Sequence, residues 1–285
     1  MDATREKVMG QRSINPDDYQ DLPRPLAVMA KDIGHGHTTG WHTHKRGQLV
    51  FAASGAIVVR TRAGTWVIPP QRAVWVPPVV EHETRTVGAV AMRTIYVQAN
   101  AVARLPRHCC VVNVTPLLRE LILRAAEISL DYDVRGPEGR VMRMILDEIK
   151  AARALPLHLP MPSDKRLAEF CAAILKEPTR HEPLAKLVKP HGMSKRTAER
   201  LFVKETAMTF SRWRQQARLL TALTQLAAGH PVKRVALESG YSSQSAFTAV
   251  FKQTFGTTPA KYFLASSAIA RSAGDEAIPR RSRVH

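Results

Sequence analysis

Cysteine is scarce: Cys109, Cys110 and Cys171 are the only three in 285 residues. No pair has the spacing of a metal clip, and the vicinal pair makes a poor structural disulfide, so the chemistry fits a reducing compartment. Long apolar runs are missing as well. No run of about eighteen apolar residues offers a membrane helix, and the first twenty residues are polar and charged, without the apolar core of a secretory leader. We therefore expect a cytoplasmic protein with no membrane partner. Acidic residues are few, 24 against 42 Lys and Arg, for a formal net charge of +18. From Asp164 onward 21 basic residues face 9 acidic ones, net +12, whereas the preceding residues carry 21 against 15, net +6. A surface this basic attracts phosphate, with an affinity that falls steeply with salt. Charge alone does not choose between DNA, RNA and an anionic membrane.

The choice comes from Pro231 to Pro259, PVKRVALESGYSSQSAFTAVFKQTFGTTP. Val232, Val235 and Ala236 belong to a short first helix that Gly240 closes, because glycine tolerates the left-handed turn. Ser242 or Ser243 opens a second helix as its cap. Phe247, Val250, Phe251 and Phe255 then recur at helical spacing and form a buried stripe. Gln244, Ser245, Thr248 and Lys252 face outward, and short polar side chains of this kind can read base edges in a major groove while a lysine reaches phosphate. This is helix-turn-helix spacing.

A diverged copy lies forty-nine residues upstream, in LAKLVKPHGMSKRTAERLFVKETAMTF, where Phe202 falls on Phe251, Ala207 on Gly256 and Thr209 on Thr258. Arg212 to Ala228 has no Gly or Pro and reads as a helix joining the two units, about 25 Å long. A duplex turn is about 34 Å, so such a helix can serve two grooves on one face. The double unit, ending in FGTTPAKY, resembles the DNA-binding domain of the AraC/XylS family of transcriptional regulators over Asp164 to Tyr262. The first unit departs from that pattern at Val188, Ala198 and Phe210. Pro190 also falls inside its expected first helix, where a proline costs about 3 kcal/mol. The expected contacts with double-stranded DNA are Ser194, Lys195, Arg196, Glu199, Arg200, Arg212 and Lys233, with Ser242, Ser243, Gln244, Ser245, Thr248 and Lys252 from the second unit.

The amino-terminal half differs in kind. Gln48 to Ala53, Ala56 to Thr61, Thr65 to Ile68, Val74 to Val76, His82 to Thr86 and Ala91 to Val97 each fit a strand, with Ser54-Gly55 and Ala63-Gly64 as turns. GWHTHKRGQLVFAASG and GTWVIPPQRAVWVPPVVEH resemble the two halves of a cupin barrel, the kind of sensor that often precedes this DNA-binding domain. His42 and His44 alternate on a strand and share a face. Gln48 stands where a cupin metalloenzyme has Glu, and His82 falls at its last His. Three imidazoles can hold Zn, Fe, Ni or Mn, but the missing carboxylate favours a lining role, so we expect no cofactor and no bound metal. His42, His44, Gln48, Trp75 and His82 are the expected effector pocket. Trp41, Phe51, Trp66 and Tyr96 fit its wall or an ordinary barrel core. Arg60, Arg62, Arg85 and Arg93 alternate as a solvated face or a site for an anion.

Helical periodicity follows, with stripes of Leu117, Leu118, Leu121, Ile122, Ala125 and of Val141, Ile145, Leu146, Ile149. The pair either packs on the barrel or mediates a homodimer. LPLHLPMPS, Leu155 to Ser163, reads as a stiff Pro-rich linker that keeps the halves apart. The expected fold class is multidomain α and β: a flexible tail (1–18), a cupin-like β-barrel (19–112), a helical pair (113–154), the linker (155–163), an all-α domain with two helix-turn-helix units (164–262) and a disordered tail (263–285). The expected function is sequence-specific transcription regulation under a small-molecule effector, with RNA polymerase as a further partner. Two rivals remain: a cupin metalloenzyme with a DNA-binding tail, and an architectural protein that binds DNA by charge alone.

Overall fold

The computed structural model describes residues 13–263 apart from 71, 103–104, 153, 156, 178 and 181. Its first half is an antiparallel sheet built from β1 (Leu26–Ile33), β2 (Gly47–Thr61), β3 (Gly64–Ile68), β4 (Arg72–Val76), β5 (His82–Val97) and β6 (Cys110–Asn113), completed by β7 (Ala154–Leu155) and β8 (His158–Pro160). The order is β1-β5-β2-β4-β6-β7, and β3 joins β2 to β8.

Ser54-Gly55 is not a turn. The backbone passes straight through it, and the pairing of β2 with β5 shifts register between Ala52 and Ala56. This bulge has a packing consequence. Val50 and Val59 are an odd number of residues apart, so an unbroken strand would send them to opposite faces. One inserted residue brings both into the same interior cluster with Val74, Tyr96 and Val111. Gly55 has φ +71°, and a Cβ there would lie 2.4 Å from the Ala89 carbonyl oxygen. Strand β5 likewise continues across Gly88, which has φ +75°. The other expected turn is real, but the reversal falls on Arg62 and Ala63, with Gly64 already paired to Thr61.

The opposite face of the sheet is buried too. Leu49, Phe51, Trp75, Ile95 and Val97 pack under α1 (Pro116–Ala125) and α2 (Pro137–Ala151) through Leu118, Ile122, Ile145 and Ile149. The Thr115 hydroxyl caps α1 by accepting from the Leu118 N–H at 3.0 Å. The helical pair thus lies against the barrel, and Leu117 and Met144 remain exposed on its outer side.

The stretch read as a linker is extended but does not stand free. β7 pairs with β6, and β8 pairs with β3 through Gly64↔Pro160, Thr65↔Leu159 and Trp66↔His158. Proline lacks an N–H, yet an edge position does not need one, and Leu157 and Leu159 bury their side chains. The start of the chain is also corrected: residues 1–12 lie outside the described part, but Pro16–Tyr19 form a 3-10 turn, and buried Tyr19 stacks on Tyr96 at 5.4 Å. Of the carboxyl-terminal tail, 264–285 lie outside the described residues.

The second half contains α3 (Lys165–Lys176), α4 (Leu184–Val188), α5 (Lys195–Thr206), α6 (Phe210–Ala227), α7 (Val232–Glu238) and α8 (Gln244–Phe255). Helix α6 touches β8, with the Trp213 indole donating to the Pro160 carbonyl at 2.8 Å and the Gln216 amide to the His158 carbonyl at 3.4 Å. One apolar cluster runs from the barrel interior into the helices. The two halves are packed together rather than spaced apart.

Candidate nucleic-acid interface and barrel site

Helices α5 and α8 are twelve residues each and start forty-nine residues apart, at Lys195 and Gln244. Both are capped by a serine: the Ser194 hydroxyl accepts from the Thr197 N–H and the Ser243 hydroxyl from the Ala246 N–H, each at 3.1 Å. Both end on a left-handed residue, Ala207 at φ 55° and Gly256 at φ 75°. The turns before them also use a left-handed glycine, Gly192 and Gly240. Pro190 causes no break, because α4 has already stopped at Val188 and the proline sits in a 3-10 turn, Lys189–His191.

Each helix buries one face and leaves the other open. In α8 Phe247 and Phe251 are fully buried, with Val250 and Phe255 half-buried beside them; in α5 Ala198 and Phe202 are inside. Ser194, Lys195, Arg196, Glu199, Arg200, Arg212, Lys233, Ser242, Ser243, Gln244, Ser245 and Lys252 are exposed, and Thr248 is half-buried. Ser194 and Ser243 already spend their hydroxyls on capping. Glu199 lies 3.8 Å from Lys195. Among the described residues Arg196, Arg200, Arg212, Lys233 and Lys252 form no ion pair.

The side chain that anchors the second unit is Arg218 of α6, which sequence reasoning missed. Its Nε donates to the Ser239 carbonyl at 2.5 Å and its Nη2 to the Gly240 carbonyl, and its guanidinium lies 4.9 Å over the Tyr241 ring. It grips the turn between α7 and α8. Glu205 holds the first unit, accepting from the Ser163 and Asp164 N–H groups at 2.7 and 2.9 Å. Both depend on backbone partners remote in sequence, so no local pattern marks them.

In the barrel, His42 and His44 precede β2 in an extended segment rather than on a regular strand. His42 exchanges both backbone hydrogen bonds with His82 at 2.9 Å, and the Val79 N–H donates to the His44 carbonyl at 2.9 Å. The rings gather as expected: His42 lies 4.8 Å from His44 and 4.4 Å from His82, centroid to centroid. Burial pushes His44 down to about 3, helped by His42 and His82. Burial also lowers His82 to about 4, although its bond to the Val80 carbonyl opposes the shift. Gln48 faces the same interior, paired across the sheet with Tyr96 and Val76.

Trp75 does not belong to this group. It pairs with Leu49 on the helix-covered face, donates to the Pro106 carbonyl at 2.8 Å and packs where a Cβ on Gly47 would collide with it. Phe51 shares that face, and Trp41 lies on the surface beside Arg60 and Arg62. Arg60 and Arg62 pair with Glu83 and Glu81 on a solvated face, whereas the largely buried Arg93 pairs with Asp32. A separate cavity of about 580 Å³ opens between the sheet and β8, lined by Thr61, Trp66, Val80, Cys109, Leu155 and His158 among others. Of these only Trp66 was named from the sequence as a possible pocket wall. Among the described residues no helix is long and apolar enough to cross a membrane.

Comparison with known proteins matches residues 187–265 to a helix-turn-helix domain and residues 30–133 to the AraC-like ligand binding domain. The HTH-type transcriptional regulator NimR of Escherichia coli (strain K12) is 35% identical over 225 residues, 79% of this chain and 82% of that protein. The regulatory protein SoxS of Salmonella typhimurium (strain LT2) is 35% identical over 77 residues, 27% of this chain and 72% of its own length. ToxT from Vibrio cholerae strain SCE256 superposes over 85% of this chain and 97% of its own, at 12% identity and a TM-score of 0.36, a loose global likeness. With an AraC-like ligand-binding match ahead of a helix-turn-helix match that contains two serine-capped helices, the chain belongs to the AraC family of HTH-type transcription regulators.

Proposed function

We propose that α5 and α8 enter two successive major grooves of one duplex. Gln244, Ser245 and Thr248 contact bases in one groove, and Arg196 and Arg200 in the next. Lys195, Lys252, Arg212 and Lys233 take phosphates. The observation that carries this reading is the pair of twelve-residue, serine-capped helices set forty-nine residues apart, whose open faces hold Arg196, Arg200 and Lys252 without an ion pair among the described residues. Helix α6 has 18 residues, about 27 Å at 1.5 Å per residue, a span suited to adjacent grooves about 34 Å apart.

The effector site we favour is the cavity beside β8, whose size fits a small molecule. Its lining of Trp66, Val80, Cys109 and Leu155 suits a neutral, mainly apolar compound. The carbonyls of His158 and Pro160 on β8 hold α6, so a ligand there can act on the DNA-binding half if it favours one arrangement of the two. The protein then acts by binding, not catalysis, in the cytoplasm and beside RNA polymerase, and Leu117 and Met144 offer a face for a homodimer.

Binding titrations with operator and random duplexes test the base contacts. Gln244→Ala and Arg196→Ala should each cost about 1–3 kcal/mol on the operator alone, whereas Lys252→Ala should weaken all sequences alike and lower the salt slope by about one. Equal losses on both duplexes for Gln244→Ala and Arg196→Ala would remove those two residues from base reading.

A further inference from the structure

We propose that His42, His44 and His82 bind one divalent first-row transition ion of the imidazole-preferring kind: nickel, copper, cobalt or zinc. The inference does not depend on how the helices read DNA.

The geometry is close to a ligand set. One ring nitrogen from each histidine lies within 4.8 Å of the others. Nitrogens bound at about 2.1 Å to one ion sit roughly 3.0–3.4 Å apart, so the rings need to close by about 1.8 Å at most. The peptide backbone already holds them, since His42 and His82 exchange two hydrogen bonds and His44 is tied to Val79.

The tautomers are also set. Nδ1 of His42 is 2.9 Å from the Gly40 carbonyl, and Nδ1 of His82 is 2.9 Å from the Val80 carbonyl. A carbonyl only accepts, so each Nδ1 carries the proton and each Nε2 keeps its lone pair. Outer carbonyls orient metal-bound histidines in this way. His82 Nε2 and both nitrogens of His44 are buried without a hydrogen-bond partner. A plain core packing of three histidines leaves those polar atoms uncompensated; an ion satisfies one on each ring.

The chemistry of the surroundings narrows the ion. Gln48 Oε1 is a further buried, unpartnered atom on the interior side of β2. The nearby carboxylates Glu81 and Glu83 are engaged with Arg62 and Arg60. A neutral, nitrogen-only set disfavours the harder magnesium, calcium and manganese ions and favours the four named above.

The test uses the untagged full chain, stripped with a chelator and titrated with cobalt(II), read by visible d–d absorption and by calorimetry. One ion per chain is expected, with a weakening of about 100-fold or more in His42→Ala, since lost ligands and even lost outer-shell partners carry such factors. His42 is only half-buried, and circular dichroism should report a native fold for that variant; His44→Gln supplies a second one. Gln48→Glu should tighten binding about tenfold by adding a charged oxygen, and His35→Ala in the neighbouring loop should change nothing. Absence of d–d bands from the parent chain, or His42→Ala and His44→Gln binding as tightly as the parent, would overturn the site.

Discussion

Replacing Arg218 by alanine removes a clamp rather than a DNA contact. Its guanidinium donates to the carbonyls of Ser239 and Gly240 and covers the Tyr241 ring at 4.9 Å. Hydrogen bonds from a charged donor contribute about 1.5–3 kcal/mol each, and a partly exposed cation–π contact about 0.5–1. The group is only half-buried, so solvent screening trims the sum, and about 2–3 kcal/mol is a fair expectation. That corresponds to a fall in Tm of about 3–5 °C for a chain of this size. Operator affinity should fall at least about tenfold, because 1.4 kcal/mol of lost orientation in α8 is enough. Arg218→Lys keeps the charge but not the fork that spans two carbonyls, so it should recover less than half of the loss. Arg212→Ala is the control on the same helix: exposed and without an ion pair among the described residues, it should leave Tm within about 1 °C and weaken binding to any duplex. Calorimetric melting together with operator titration decides. An Arg218→Ala chain that melts and binds like the parent would refute the clamp.

Two further perturbations act on the barrel. Gly55→Ala places a Cβ 2.4 Å from the Ala89 carbonyl oxygen at φ +71°, and should lower stability by about 1–3 kcal/mol in urea titrations; an unchanged midpoint would mean that the bulge is slack. In the metal-free chain, His44 and His82 stay neutral in the folded state down to about 3 and about 4, whereas unfolded histidines take up protons near pH 6.5. Stability contributed by their neutral burial is therefore whole above about pH 6.5. It declines as pH falls, by up to about 1.4 kcal/mol per pH unit for each, until the folded groups titrate. Urea midpoints between pH 7 and 4 should show this decline, with a shallower slope in His82→Gln; equal slopes would contradict a buried neutral His82.

What could be read from the sequence was local. Helical spacing, the cap at Ser242 or Ser243 and the forty-nine-residue repeat all operate within one turn or one unit, and α5 and α8 start forty-nine residues apart, with Ser243 as the cap of α8. The gathering of His42, His44 and His82 was legible from two-residue alternation and one distant match. Trp75 was misplaced for a physical reason. Strands β2, β4 and β5 are buried on both faces, so apolar residues run continuously and nothing in the pattern tells inside from outside. The bulge at Gly55 also resets that parity. The linker was misread because its pairing partner, β3, lies about ninety residues earlier, and composition alone describes its stiffness but not its neighbour. Arg218 and Glu205 grip backbone atoms, which carry no sequence signature.

Operator spacing tests the central reading most directly. Once a preferred site has been selected from random duplexes, five base pairs inserted between its two halves turn one groove to the opposite face, half of a turn of about 10.5 base pairs. Two helices fixed on α6 cannot follow, so affinity should fall to about that of either half-site alone. Affinity unchanged by the insertion would mean that α5 and α8 do not read neighbouring grooves together.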